Sequence, residues 1–229
     1  MDRIYAIGDI HGRLDLLERA LTAIRRDVDD RGPAALAITL GDYIDRGPDS
    51  SGVIACLAAN PFPTPYVALK GNHEDLLEKF LIEPGIAGHW RHLGCVETLH
   101  SYGVPVADLM RGRHYEVAAK ALAEALPTAH RTFLDSLRTS YAVGRYFFCH
   151  AGVRPGIPLA QQSDDDLMWI RDEFLSSVQD FGSIVVHGHT PVAEPEVKPN
   201  RINIDTGAFA TGRLTCIVLE DDGHRFLKL

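Results

Sequence analysis

What most constrains this chain is a recurrence: short apolar runs, rich in β-branched and aromatic residues, that end at a glycine or histidine and break into a polar cluster. Arg3–Ile7 leads into Gly8-Asp9-Ile10-His11-Gly12, Ala35–Leu40 into Gly41-Asp42-Tyr43-Ile44-Asp45-Arg46-Gly47, and Tyr66–Leu69 into Gly71-Asn72-His73-Glu74. Tyr141–Cys149, broken at Gly144, leads into His150-Ala151-Gly152, and Ser183–Val186 into His187-Gly188-His189-Thr190. Arg201–Ile204 and Leu214–Leu219 are further runs of the same kind. Such runs read as buried strands feeding loops. Between the early ones lie segments of helical period: Leu14–Arg26, with Leu14, Leu17, Leu21 and Ile24 on one face, and Ser50–Ala59. Strand alternating with helix predicts an α/β sheet with a parallel start. The later strands have no helices between them, so the second half is expected to be mixed.

From Glu74 to Leu137 the chain reads as mostly helical, punctuated by Pro84, Pro105 and Pro127, with Ala118–Leu126 a strong helix former. It is expected to form a helical insertion, about residues 75–137, over one end of the sheet. His89, His92, His100, His114 and His130 within it have no tight ligand spacing and are left out of any site. With no repeat, low-complexity tract or Gly/Ser linker, residues 1–229 are expected to be a single domain.

Composition sets the electrostatic problem. With 23 Lys+Arg against 31 Asp+Glu, the net charge is −8, and acids and bases are interspersed. A nucleic-acid partner is not expected, and any phosphate chemistry would need concentrated local positive charge, such as metal ions. No run of 18 apolar residues and no N-terminal signal segment is present, so no membrane association and a cytoplasmic location are expected. Cys56, Cys95, Cys149 and Cys216 are widely spaced and read as free thiols.

The polar clusters carry the chemistry. In open α/β sheets ligands bind outside the carboxyl ends of strands, so clusters spread over 180 residues of chain can meet in one crevice. Their Asp and Asn oxygens and His nitrogens, without thiolate, are donors for divalent ions. The set exceeds the three protein ligands typical of one catalytic zinc; two ions fit better, with Asp42 on a central strand as a bridge. Singly, each residue has a plain structural role: Asp42 as a helix cap, Asn72 in a turn, His187 or His189 as a core histidine. Together, buried polar residues at successive strand ends would each cost folding free energy unless they served one another or a ligand.

GDIHG, GDYIDRG, GNHE, HAG and HGHT, in this order, resemble the signature of the calcineurin-like metallophosphoesterases, specifically the small bacterial and phage form of the phosphoprotein phosphatase family. The resemblance covers residues 3–213. It implies a layered sandwich of mixed β-sheets flanked by helices, with a helical insertion. It also implies one ion held by Asp9, His11 and Asp42, a second by Asp42, Asn72, His150 and His187, and direct attack on phosphorus by a hydroxide bridging the two. His73 would be the general acid, Asp45 its hydrogen-bonding partner, and Arg46 the bidentate grip on the phosphate. Arg171, in Met168-Trp169-Ile170-Arg171-Asp172, resembles the arginine that completes that grip. His189 would be site-adjacent, and Asp205, in Asp205-Thr206-Gly207-Ala208, would orient a ligand.

By the same resemblance the two cofactor ions are divalent, Mn²⁺ first and Fe or Zn as alternatives. The expected substrate is a phosphorylated protein or peptide carrying phosphoserine or phosphothreonine. Diadenosine tetraphosphate hydrolases share the metal motifs but generally lack the pair that stands here as Asp45-Arg46, which leaves a nucleotide or dinucleoside polyphosphate hydrolase as the alternative. The final strand lies close to Leu229, so no regulatory subunit is expected. A non-catalytic binding module is disfavoured because every motif residue is present.

Overall fold

The computed structural model describes residues 3–33, 35–221 and 223–229. Its strands are β1 (Ile4–Ile7), β2 (Leu36–Thr39), β3 (Tyr66–Ala68), β4 (Ser140–Val143), β5 (Tyr146–Cys149), β6 (Ile184–His187), β7 (Glu196–Val197), β8 (Arg201–Asn203), β9 (Cys216–Glu220) and β10 (Gly223–Phe226). They form two five-stranded sheets, ordered β10-β9-β1-β2-β3 and β4-β5-β6-β8-β7. In the first, β1, β2 and β3 are parallel and β9 and β10 antiparallel. In the second, β5, β6 and β8 are parallel between the antiparallel edges β4 and β7.

The two-residue period of the strands explains the layering. Ile4 and Ala6 of β1, with Leu36 and Ile38 of β2, face Tyr146, Phe148, Val186 and Ile202 of the second sheet in a core between the sheets. The alternate residues Tyr5, Ile7 and Ala37 pack on the other side against Leu17, Leu21 and Ile24. These belong to α1 (Leu14–Arg31). Phe147, Cys149 and Val185 of the second sheet turn outward onto Leu167, Ile170 and Phe174. Both faces of each sheet are thereby buried, which is why the strand sequences are almost continuously apolar.

The expected architecture is found, with differences that have local causes. The run Tyr141–Cys149 is a hairpin, β4 and β5, folded at Gly144, whose φ of +58° suits the turn. β7 and β10 escape a pattern search because they are short or polar: Glu196-Val197 and Gly223-His224-Arg225-Phe226 carry no apolar run. α1 runs on to Arg31 rather than Arg26, because buried Val28 continues the spacing of Leu21 and Ile24 beneath a charged surface of Arg and Asp.

After α2 (Ser50–Ala58) come α3 (Asn72–Ile82), α4 (Ala87–Trp90), α5 (Cys95–Ser101), α6 (Ala107–Met110), α7 (Tyr115–Ala125) and α8 (Thr128–Asp135), the helical insertion. α2 packs against α5 and α8, and α3 against α7. α9 (Asp164–Trp169), α10 (Asp172–Leu175) and α11 (Ala208–Thr211) complete the described helices. The four cysteines are free thiols, three of them buried. No helix among the described residues is long and apolar enough to cross a membrane.

Candidate dimetal centre

The loops after β1, β2, β5 and β6 and the first turn of α3 bring the motif residues together at one end of the paired sheets. Asp42 stands in the middle. Its Oδ2 is 3.4 Å from His11 Nε2 and its Oδ1 is 3.3 Å from His150 Nε2, so the two oxygens face opposite neighbours. Asn72 Oδ1 lies 3.0 Å from His150 Nε2 and 2.9 Å from His189 Nδ1, and those two nitrogens are 3.2 Å apart. Asp9 Oδ2 accepts the His189 backbone N–H at 3.0 Å, whereas its Oδ1 is buried without a partner. The donor atoms of Asp42, His150 and His189 all lie within 4.8 Å of one another, as do those of His11, Asp42 and His73.

Two of the imidazoles are oriented from behind. His11 Nδ1 donates to Ile44 O at 2.8 Å and His150 Nδ1 to Leu40 O at 2.9 Å, which turns both Nε2 atoms toward Asp42. A ring nitrogen fixed this way leaves the other free to act as a ligand. Burial holds the His11 imidazole neutral, with a pKa lowered to about 3 despite Asp42. For His150 burial also opposes charge, but Asp42 outweighs it and lifts the pKa to about 10. Burial, and then the Asp205 carboxylate, push Asp9 well above the usual carboxylate range. Buried acids this close repel, and cations among them relieve that repulsion.

The sequence places His187 in the ligand set; in the structure His189, not His187, stands in the donor cluster. His187 is the last residue of β6 and follows the parity of Val185, pointing outward onto the Phe174 ring at 5.0 Å rather than into the cluster. Its Nδ1 faces Gly188 O at 3.1 Å and its Nε2 accepts from Arg201 Nη1 at 3.4 Å. The chain then turns at His189, whose φ of +67° aims its ring at Asn72 and His150. Alternation along β6 was the signal that could have separated the two histidines. A side chain at Gly188 would place its Cβ 2.0 Å from Asp9 Oδ1, so only glycine lets the turn pass.

Five of the seven non-glycine residues with positive φ among those described are His11, Asp42, Asp45, Arg46 and His189. Backbone strain of this kind, gathered at one place, marks a functional site. Asp45 is fully buried, and its Oδ2 accepts from His73 Nδ1 at 2.5 Å and from Trp90 Nε1 at 2.6 Å. Its Oδ1 accepts from Thr98 Oγ1 at 2.5 Å. Burial opposes a charge on His73, but Asp42 and then Asp45 raise its pKa overall. Arg46 lays Nη2 3.2 Å from His73 Nε2 and Nη1 3.0 Å from His11 Nε2.

Arg171 is exposed at the head of α10. Its charge is near enough to help keep His189 neutral, although burial is the larger cause. It is at electrostatic rather than hydrogen-bonding reach of the cluster. Glu74 has a role that the motif reading overlooked. Its buried carboxylate accepts the backbone N–H groups of Asp42 at 2.9 Å, Tyr43 at 2.8 Å and Gly71 at 2.9 Å, tying the second motif to the third. Asp205 accepts Gly207 N–H at 2.9 Å and so holds the turn into α11.

Residues 2–211 match the family model described as calcineurin-like phosphoesterase. The chain belongs to this family. Serine/threonine-protein phosphatase 2 of Salmonella typhimurium is 26% identical over 93% of this chain and 90% of its own length. A bis(5'-nucleosyl)-tetraphosphatase (asymmetrical) of Anoxybacillus flavithermus is also 26% identical, over 92% of this chain and 88% of its own. A solved structure provisionally described as a diadenosine tetraphosphatase superposes with a TM-score of 0.69 at 22% identity, covering 99% of this chain and 93% of that one.

Calcineurin-like phosphoesterases use a dimetal centre, and the residues here fit one. Asp9 Oδ1 is an orphaned buried oxygen, and Asp42 offers one oxygen to each side. Asn72, His150 and His189 bring one oxygen and two nitrogens within 3.2 Å of one another. All the donors are nitrogen or oxygen, a set that suits Mn²⁺, Fe²⁺ or Zn²⁺.

Proposed function

We propose that this calcineurin-like phosphoesterase is a phosphomonoesterase acting on phosphoserine and phosphothreonine in proteins or peptides. The observation that carries the reading is the Asp45–His73–Arg46 arrangement beside the donor cluster: an imidazole with one nitrogen fixed on a carboxylate and the other beside a guanidinium. Asp9, His11 and Asp42 would hold one divalent ion, and Asp42, Asn72, His150 and His189 the other; Mn²⁺ is the ion we would supply. Bound there, the ions contribute Lewis acidity and neutralise phosphoryl charge.

The chain's own residues do the rest. Arg46 grips two phosphate oxygens through its fork of N–H groups and fixes the ester next to His73. His73 Nε2 gives its proton to the departing alkoxide oxygen, which a serine or threonine ester needs because that leaving group is poor. Asp45 keeps the His73 proton on Nδ1 and steadies the charged ring until transfer. Trp90 and Thr98 keep Asp45 turned toward it. Arg171, at the rim, adds positive charge for the incoming phosphate.

The second reading, a dinucleoside polyphosphate hydrolase, is favoured by the equal identity to the tetraphosphatase relative. Metal-stripped protein given back Mn²⁺ and offered a phosphothreonine peptide and diadenosine tetraphosphate side by side tests both. Faster turnover of the peptide supports the proposal; preference for the dinucleotide replaces it with the second reading.

A further inference from the structure

Arg46 is held from two directions by residues outside the motifs. Its backbone N–H donates to Gly94 O at 3.1 Å, and a Cβ on Gly94 would lie 2.8 Å from Arg46 Cγ, so the chain at the start of α5 presses directly on the arginine. On the other side its guanidinium carbon stands 4.8 Å from the centroid of the Phe209 ring. The same ring meets the His11 imidazole edge-on at 5.5 Å. Phe209 is 37% exposed, so its ring is shared between solvent and these two side chains.

The backbone beneath Phe209 is tied to the site. Arg13, just after the first motif, donates from Nη1 to Ala208 O at 3.0 Å, and Asp205 Oδ1 holds Gly207 N–H. Gly207 itself takes a φ of +65° to start α11. α11 is therefore a short support, pinned at its first residues, that carries one aromatic ring to the arginine.

We infer that Phe209 is a positioning residue for the phosphate grip: its ring face holds the Arg46 guanidinium in the orientation that receives the phosphate oxygens. The inference rests on the reading of Arg46 as that grip. A cation over an aromatic face is attracted by the ring quadrupole while its N–H edges stay free, so the contact fixes the plane of the fork without consuming its donors. Arg46 has positive φ and a long flexible side chain; its Nη1 and Nη2 face His11 and His73 at the edge of the fork, and the Phe209 ring is what lies against its face.

The test is a double-mutant cycle on the Mn²⁺-loaded protein, read by p-nitrophenyl phosphate hydrolysis and by calorimetric affinity for inorganic phosphate. Phe209→Leu keeps apolar bulk and loses the quadrupole; it should weaken phosphate affinity and kcat/KM about tenfold. Phe209→Tyr keeps the ring face and should restore both to within about twofold of the parent. In an Arg46→Ala background, Phe209→Leu should cost nothing further. Additive losses, or equal losses for the Leu and Tyr variants, would overturn the positioning role. If Arg46→Ala leaves phosphate affinity unchanged, the reading of Arg46 fails first, and with it the basis of this inference. A thermal melt of Phe209→Leu matching the parent shows that the loss is local.

Discussion

Asp45 Oδ2 stands 2.5 Å from His73 Nδ1, and the same oxygen accepts the indole N–H of Trp90 at 2.6 Å. The acid of the proposed reaction is thus oriented by a carboxylate that the helical insertion itself holds, through Trp90 in α4 and Thr98 in α5. Side chains 45 and 53 residues beyond Asp45 thereby orient the group proposed to transfer the proton.

Asp45→Asn should retain both metal ions while lowering kcat about 10–100-fold, with a larger loss on phenyl phosphate than on p-nitrophenyl phosphate. Trp90→Phe should move the same ratio in the same direction by a smaller factor. Steady-state rates on the two esters, beside metal content by elemental analysis, check it. Equal losses on both esters would contradict the orienting role.

His189→Ala should lose about 100-fold or more in affinity for one of two ions, because it deletes a donor that lies 2.9 Å from Asn72 Oδ1. His187→Gln should keep both ions, since that ring faces Arg201 and Phe174. Metal stoichiometry after dialysis separates the two variants. The reverse pattern would return His187 to the ligand set.

Asp42→Asn removes the charge that faces both sides of the cluster. It should abolish two-metal occupancy and nearly all turnover. For the parent protein, chelation should stop hydrolysis and lower the melting temperature, and Mn²⁺ should restore both; at 100 times its Kd a bound ion adds about 2.7 kcal/mol. Normal activity of Asp42→Asn with two ions bound would refute the bridge.

Asp27, on α1, accepts from Arg225 Nη2 and Tyr5 Oη, both at 2.7 Å, with Arg3 at 3.8 Å. Burial raises its pKa, but the Arg225 and Tyr5 hydrogen bonds outweigh it and leave the carboxyl below its ordinary value. A depressed acid stabilises the fold above the unfolded pKa of about 4 and loses that contribution as pH falls through the folded value. Asp27→Asn should therefore cost about 1–2 kcal/mol at pH 7, and the difference from the parent should shrink below pH 4. Urea unfolding at both pH values decides it; a gap that persists at low pH would assign the loss to packing.

The parallel start of the first sheet, α1, the insertion and the location of the site at strand ends were legible because period and motif are local. That Asp9, His11, Asp42, Asn72 and His150 gather at one end of the sheets was legible as well, since each follows its strand or opens its helix within a motif of a few residues. β7 and β10 were not, since pairing with neighbours, and not an apolar pattern, makes them strands.

Residue order alone sets which donor types exist and that they cluster after strands, because glycine-flanked polar groups in an apolar chain have few stable destinations. Tertiary structure alone decided which histidine of His187-Gly188-His189 enters the site, since that depends on the outward parity of β6 and a left-handed turn at His189. It also decided that Glu74 staples two motifs, that Trp90 and Thr98 hold Asp45, and that Phe209 reaches Arg46. These contacts join residues tens to more than a hundred positions apart, and no period in the chain encodes them. Packing of the insertion and of α11 against the sheet ends brings them within bonding distance.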